Sequence, residues 1–206
     1  MPRGFSEDEK QQIHTQLLEK GRVLFEQYGL KKTNVEELTR AVGISKGAFY
    51  LFYNSKEELF FEIVDRVQDE FRQKVFAQAV ENSASARESF KQFLRVLFRE
   101  LEHYPLLYAV GKEEYETLLR KLPREIAEEH LGRDAQVMEQ FLEYFKNKGR
   151  FREVDGQVFA NLGVSLYLLW MHREDMIFTR FEETLDIWIE LLANYLVLEE
   201  GVPQVN

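Results

Sequence analysis

The densest recognition chemistry in this 206-residue chain lies between Thr33 and Lys56. Lys46 is long enough to reach guanine acceptors or a phosphate oxygen. Beside it, Gly47 and Ala48 are small enough to let a helix backbone approach base edges. Tyr50, one turn on, can offer its hydroxyl to a phosphate while its ring packs. Lys56 falls in the first turn of a following helix, where backbone N–H groups also face outward. Cations and a hydroxyl grouped around two small residues suit the grip of a polyanion. Other chemistries lack their residues. There are no cysteines, which excludes disulfides, thiolate metal sites and cysteine nucleophiles. His14, His103, His130 and His172 are scattered, with no His–Glu spacing that sets two metal ligands on one helix face, and His130 with Glu128 and Glu129 reads as a charge cluster at a helix end. Neither a phosphate-binding glycine loop nor a nucleophile elbow is present. The sequence therefore offers no candidate catalytic residue, metal ligand or cofactor site.

The elements that must position these side chains are legible in the spacing. Val35, Leu38, Thr39 and Val42 recur at helical intervals, giving one mostly apolar face. Gly43 stops that helix, Ile44 plugs the turn, and Ser45 caps a second helix carrying Lys46 to Phe52. Helix, short glycine turn and second helix make a helix-turn-helix, although a packing turn in any all-α protein would read the same way. Before it, a helix over 7–28 carries Ile13, Leu17, Gly21, Leu24 and Tyr28 on one stripe, with Leu18 and Phe25 beside it, and Gly29 ends it. Thr33 or Asn34 caps the next helix, with Glu36 or Glu37 completing a capping box, and Ser55 with Glu58 forms another. A long helix over 56–80 follows, its stripe made by Phe60, Val64, Val67, Phe71 and Val75. Further helices are predicted over 86–103, from Gly132-Arg133-Asp134 to Gly149, over 155–172 and over 182–198. Pro105 and Pro123 bound the segment between the first two of these. No strand pattern is visible, so the fold class is all-α.

Composition narrows the setting. The chain is 45% hydrophobic and 31% charged, ordinary for a soluble protein, with a formal net charge of -9. Residues 1–56 hold nine Lys and Arg against seven Asp and Glu, whereas the rest holds 18 against 29. The acidity thus lies outside the helix-turn-helix, where it keeps the remainder off phosphates. No apolar run approaches a membrane span, and no basic-then-apolar segment precedes the first helix, which leads us to expect a cytoplasmic protein without membrane contact.

The run Gly43-Ile44-Ser45-Lys46-Gly47-Ala48-Phe49-Tyr50, followed by Asn54-Ser55-Lys56-Glu57-Glu58-Leu59, resembles the DNA-binding domain of TetR-family transcriptional regulators. Leu24, Phe25 and Gly29 match the end of that family's first helix, and the likeness spans about residues 8 to 65. Phe52-Tyr53 inverts the family's usual ring order, and Lys20, Gly21, Thr39 and Val42 stand where alanine is usual. The resemblance implies a helix-turn-helix domain over 1–55 and an effector-binding and dimerisation domain over 56–206, linked by helix 56–80. It implies a homodimer on a palindromic double-stranded operator, touched by Thr33, Ser45, Lys46, Gly47, Ala48, Tyr50 and Lys56, with the Thr33 hydroxyl on a phosphate.

The two C-terminal helices are apolar on more than one face, more than a surface helix needs. Phe159, Leu166, Trp188, Leu192 and Tyr195 are candidates for a twofold four-helix bundle; a large monomer core is the other reading. The resemblance also implies a cavity for a small effector among the middle helices; here Phe93, Tyr104, Tyr108, Tyr115, Phe141, Phe145, Tyr167 and Trp170, with room left by Gly111 and Gly163, would line it for an apolar or aromatic molecule. Helical spacing equally allows a filled core. The resulting reading is a ligand-responsive regulator, a repressor released from DNA by its effector; within regulation, an activator or a repressor with no small effector is the other reading. The reading from another class is an all-α enzyme or ligand carrier whose helix-turn-helix only packs. Salt-dependent DNA binding separates the two.

Overall fold

The computed structural model describes residues 5–79, 85–108, 118–149, 151–175 and 180–198. Within them the chain is helical, and the one β-type pairing is an isolated bridge between Phe151 and Val197. The helices are α1 (Glu7–Lys32), α2 (Val35–Val42), α3 (Lys46–Phe49), α4 (Lys56–Ala79), α5 (Ala86–Leu101), α6 (Arg124–Lys148), α7 (Gly156–Met171) and α8 (Phe181–Leu196). The chain divides into two compact units, one of residues 1–70 and 104–130, the other of 71–103 and 131–206.

The first unit is built on α1, α2, α3 and the first half of α4. Ser6 and Glu9 form a capping box that starts α1. Gly29 takes a φ of 75°, so the chain kinks there before a last short turn to Lys32. Leu17, Leu18, Gly21 and Phe25 are the buried residues before that kink, whereas Tyr28, expected on the same stripe, is exposed. Gly21 permits close packing: a Cβ there would lie 2.9 Å from Ile63 Cδ1 and 3.3 Å from Leu59 Cδ2. Leu59, Phe60, Phe61, Ile63, Val64 and Val67 supply the face of α4 buried in this unit, and Phe60 meets Phe25 edge-on at 5.2 Å.

In the second unit α5 packs against α8. Leu185, Ile189, Ala193 and Leu196 are buried on α8, and Phe90, Phe93, Leu94 and Val96 on α5. Rim ion pairs flank this contact: Lys91 to Glu190 at 2.7 Å and Arg95 to Asp186 at 2.8 Å. The aromatic rings form a packed cluster. Phe141 stacks on Phe76 at 4.6 Å and tilts against Phe93 at 4.7 Å, and Phe145 sits 5.2 Å from Phe93 and 5.1 Å from Phe90. The start of α6 differs from the sequence expectation. Gly132-Arg133-Asp134 was expected to open a helix, but α6 already starts at Arg124, just after Pro123, and runs through it. An interior glycine costs a helix only about 1 kcal/mol against alanine, which 25 residues of helix absorb.

Candidate nucleic-acid interface

The helix-turn-helix is assembled by reciprocal caps. Asn34, of the two candidates, caps α2: its side chain accepts from the Glu37 amide at 2.9 Å, and Glu37 accepts from the Asn34 amide at 3.0 Å. Gly43 closes α2 with a left-handed φ of 82°. Ser45 caps α3, accepting from the Ala48 amide at 3.1 Å. The regular α-helix of α3 ends at Phe49, and single-turn bonds carry the chain on to Tyr53. Ser55 accepts from the Glu58 amide at 3.1 Å to start α4, while Glu58 reaches back to the Asn54 amide at 2.8 Å.

This framework turns Ser45, Lys46, Gly47 and Tyr50 to solvent. Three expected contacts come out differently. Ala48, expected against base edges, is buried at 8% exposure and faces the unit's own core; the small exposed residue of α3 is Gly47. Thr33 is wholly buried, and its hydroxyl donates to the Gly29 carbonyl at 2.9 Å, closing the α1 kink instead of facing phosphate. Lys56 also turns inward. Its ammonium donates to the carbonyls of Thr33 at 2.6 Å and Leu30 at 2.7 Å, with Lys31 at 3.4 Å. Those carbonyls are the orphans of the α1 C-terminus, so Lys56 ties α1 to the start of α4.

Two features escaped the sequence reading. Leu51, just after Tyr50, is 73% exposed, unusual for leucine beside a polar reading face. Glu36 accepts from the Lys46 ammonium at 2.6 Å, pairing the first turn of α2 with the first turn of α3. That bond holds the Glu36 carboxyl below its usual range and raises Lys46. The signal for it was ten residues of separation across a tight turn. Behind the reader, Tyr53 is buried and donates to Glu62 at 2.8 Å. Glu62 also takes Arg66 at 3.1 Å and lies 3.3 Å from His14, whose ring stacks on Tyr53. Burial first, then the Glu62 carboxylate, pushes the Tyr53 phenol far up, so it stays a neutral donor. This cluster braces the turn after α3 against α1 and α4.

The other expected residues scatter. Phe93, Phe141 and Phe145 belong to the packed ring cluster, and Trp170 is buried against Phe98 at 6.4 Å. Tyr167 is half-buried on α7. Tyr104 and Tyr108 fall in the first unit, while Tyr115 and Gly111 lie outside the described residues. Gly163 faces open space, so it leaves no room beside a pocket. A cleft of about 290 Å³ in the second unit has Trp170 as its sole wall residue from that set, and is lined mainly by charged groups including Arg95, Arg99, Glu102, Glu182 and Asp186. Of the interface candidates, Trp188 and Tyr195 are exposed and Phe159 and Leu192 half-buried, but Leu166 is buried in its own protomer.

Capped helices presenting a lysine, a glycine and a tyrosine define a helix-turn-helix protein of all-α build. Residues 17–63 match the family described as bacterial regulatory proteins, tetR family. The HTH-type transcriptional regulator YhgD of Bacillus subtilis is 35% identical over 86 residues, 42% of this chain and 43% of that protein. YuxN of the same organism is 31% identical over 98 residues, 47% of this chain and 33% of that one. The chain thus spans less than half the length of the curated relatives it matches. Among solved structures, a TetR family transcription regulator from Marinobacter aquaeolei VT8 superposes with a TM-score of 0.61 at 18% identity, over 93% of this chain and 99% of that one. The fatty acid degradation regulator FadR from Bacillus halodurans gives 0.62 at 19%, over 93% and 97%. A Saccharomonospora viridis protein solved in complex with choline gives 0.65 at 13%, over 92% and 100%. At these identities the likeness is one of fold. Residues 17–63 thus match the DNA-binding domain of the tetR family, and the chain as a whole shares the fold of solved regulators of that family.

Proposed function

We propose that this protein is a transcriptional repressor that binds a palindromic operator as a homodimer and leaves it when a small effector binds. The observation that carries the reading is the exposed strip Ser45, Lys46, Gly47 and Tyr50, held on capped helices inside a segment that matches a family of regulators. On this reading the DNA-binding function belongs to residues 1–55 and the effector and dimer functions to 56–206, in the cytoplasm with the DNA. No helix among the described residues is long and apolar enough to cross a membrane. An enzyme reading gains nothing from relatives that are regulators.

The dimer is supported by an apolar face that one protomer leaves open. Ile187, Trp188, Leu191 and Tyr195 are exposed on α8, and Val164 and Leu168 on α7. Contiguous apolar surface of this kind marks an interaction site, and a twofold interface uses the same patch on both copies. For the effector we propose a small apolar or aromatic molecule that wedges between rings of the Phe93–Phe141–Phe145 cluster. Its binding shifts α4, changes the separation of the two readers, and so weakens DNA; DNA must weaken effector binding by the same factor. The choline and fatty-acid associations of two structural relatives differ in chemistry, so the shared fold leaves the effector open.

The test is capture of genomic fragments by the purified protein, followed by anisotropy titrations of the recovered sequence from about 50 to 200 mM salt. Tight binding to one palindromic fragment, with log affinity falling linearly in log salt, is the expected result. Failure to retain any fragment above the level of an unrelated acidic protein would overturn the reading.

A further inference from the structure

On the reader surface, the α3 lysine is not free in the absence of DNA. Lys46 and Glu36 are each about half exposed, and their 2.6 Å contact spans the turn between α2 and α3. Glu36 has no capping duty, because Glu37 closes the box with Asn34. It therefore holds Lys46 without being needed to build α2. The other lysine assigned to DNA, Lys56, is occupied by the α1 carbonyls. Among the residues expected to touch DNA, both cations are thus bound within the protein.

Resting on the DNA-binding reading above, we propose that Glu36 is an affinity-setting residue, a counter-ion whose pair with Lys46 must be broken before the ammonium meets DNA. Non-specific binding comes almost wholly from phosphate neutralisation. A lysine already neutralised by a neighbouring carboxylate releases no counterion when it meets a phosphate, so the pair adds nothing to that term. The handover of Lys46 from Glu36 to DNA is favourable only where the rest of the surface is in register with its operator. The paired directions of the two ionisations, glutamate down and lysine up, accord with a contact that must be broken to free the ammonium.

The experiment compares wild type, Glu36→Gln, Lys46→Met and the double variant on the operator and on unrelated duplex DNA, across salt. Each neutralised phosphate contributes about 0.9 to the salt slope, or roughly eightfold in affinity at 0.1 M salt. Glu36→Gln should therefore bind unrelated DNA about eightfold tighter and steepen its slope by about one, and it should gain at least as much on the operator, where the wild type must first break the pair. Lys46→Met should weaken binding to unrelated DNA by baring the carboxylate, and the double variant should return to the wild-type level there. Glu128→Gln, which removes the same charge from an exposed pair with Arg124 on α6, controls for net charge and should leave both affinities unchanged. Circular dichroism verifies that each variant is folded. Unchanged affinity of Glu36→Gln for unrelated DNA, a smaller gain on the operator than on unrelated DNA, or a double variant as weak as Lys46→Met would overturn the proposal. Wild type that binds no DNA would overturn the functional reading and this inference together, whereas wild type that binds with Glu36→Gln indistinguishable from it would remove this inference alone.

Discussion

Gly47 faces solvent at the start of α3, and a Cβ built there approaches nothing closer than Ser45 Oγ, at 3.9 Å. The next residue, Ala48, lies in the core of the same unit. Two adjacent small residues therefore have opposite sensitivities. Gly47→Trp should keep its thermal midpoint within a few degrees and lose operator binding, because the new ring fills the space between helix and groove. Ala48→Trp should unfold the first unit at lower temperature, since overpacking a core costs about 1–3 kcal/mol or more. Melting curves beside operator titrations would check both. Lys56 follows a similar logic. Its ammonium satisfies carbonyls that nothing else among the described bonds reaches, and a hydrogen bond to a charged group contributes about 1.5–3 kcal/mol. Lys56→Met should lower the melting midpoint in the absence of DNA, an effect that a purely phosphate-facing lysine would not have. Spacing alone could not separate these cases. It located the turn and the stretch that α3 occupies, but which of two neighbours points outward depends on how steeply α3 enters the core.

The caps and stops made most elements readable from the sequence. Ser45, Asn34, Gly43 and Gly29 all act where their local chemistry placed them, and the reader was legible because its signals lie within three or four residues of each other. What was lost involved partners far apart in the chain. No periodicity tells Lys56 to reach back 26 residues to Leu30, or Phe141 to stack on Phe76 and close the ring cluster. An ion pair of the same long-range kind, between an exposed lysine of α4 and a buried glutamate of α5, gives a prediction. Glu100 on α5 is buried, and the Lys74 ammonium at 2.7 Å, aided by Gln78 at 3.0 Å, holds its carboxyl below the usual glutamate range despite burial. A depressed folded-state value means the contribution is complete above the unfolded glutamate value, near 4.3, and is lost as pH falls through the lower folded one. Glu100→Gln should therefore be less stable than wild type at neutral pH, with the gap closing in acid below about pH 4. Chemical denaturation at a series of pH values measures that gap, and a constant difference down to low pH would count against a charged Glu100.

At the scale of the whole molecule, charge and assembly are linked. Residues 1–56 hold only two more basic than acidic groups, while the rest of the chain is strongly acidic. One copy has little electrostatic hold on DNA, and with Lys46 and Lys56 engaged internally it has less still. On the proposed dimer, tight binding comes from joining two readers, because the second half-site is met at the high local concentration set by the first. The open apolar face of α7 and α8 is where the two copies would be joined. Leu191 stands at its centre on α8, 55% exposed, one turn from both Ile187 and Tyr195. A glutamate there would be harmless in a monomer, since the position is solvent-exposed. In a dimer it would bury a charge without a partner, which costs about 3–5 kcal/mol. Twofold symmetry places that cost on both copies. Leu191→Glu should therefore sediment as a folded monomer with an unchanged melting profile for the protomer. It should bind a single half-site about as well as wild type, but lose the gain on the full palindrome, a drop of roughly 10²-fold or more. Leu166→Glu makes the contrast, because Leu166 is buried in its own protomer and its substitution should unfold the second unit whatever the assembly. Sedimentation showing an intact Leu191→Glu dimer would move the interface off this face.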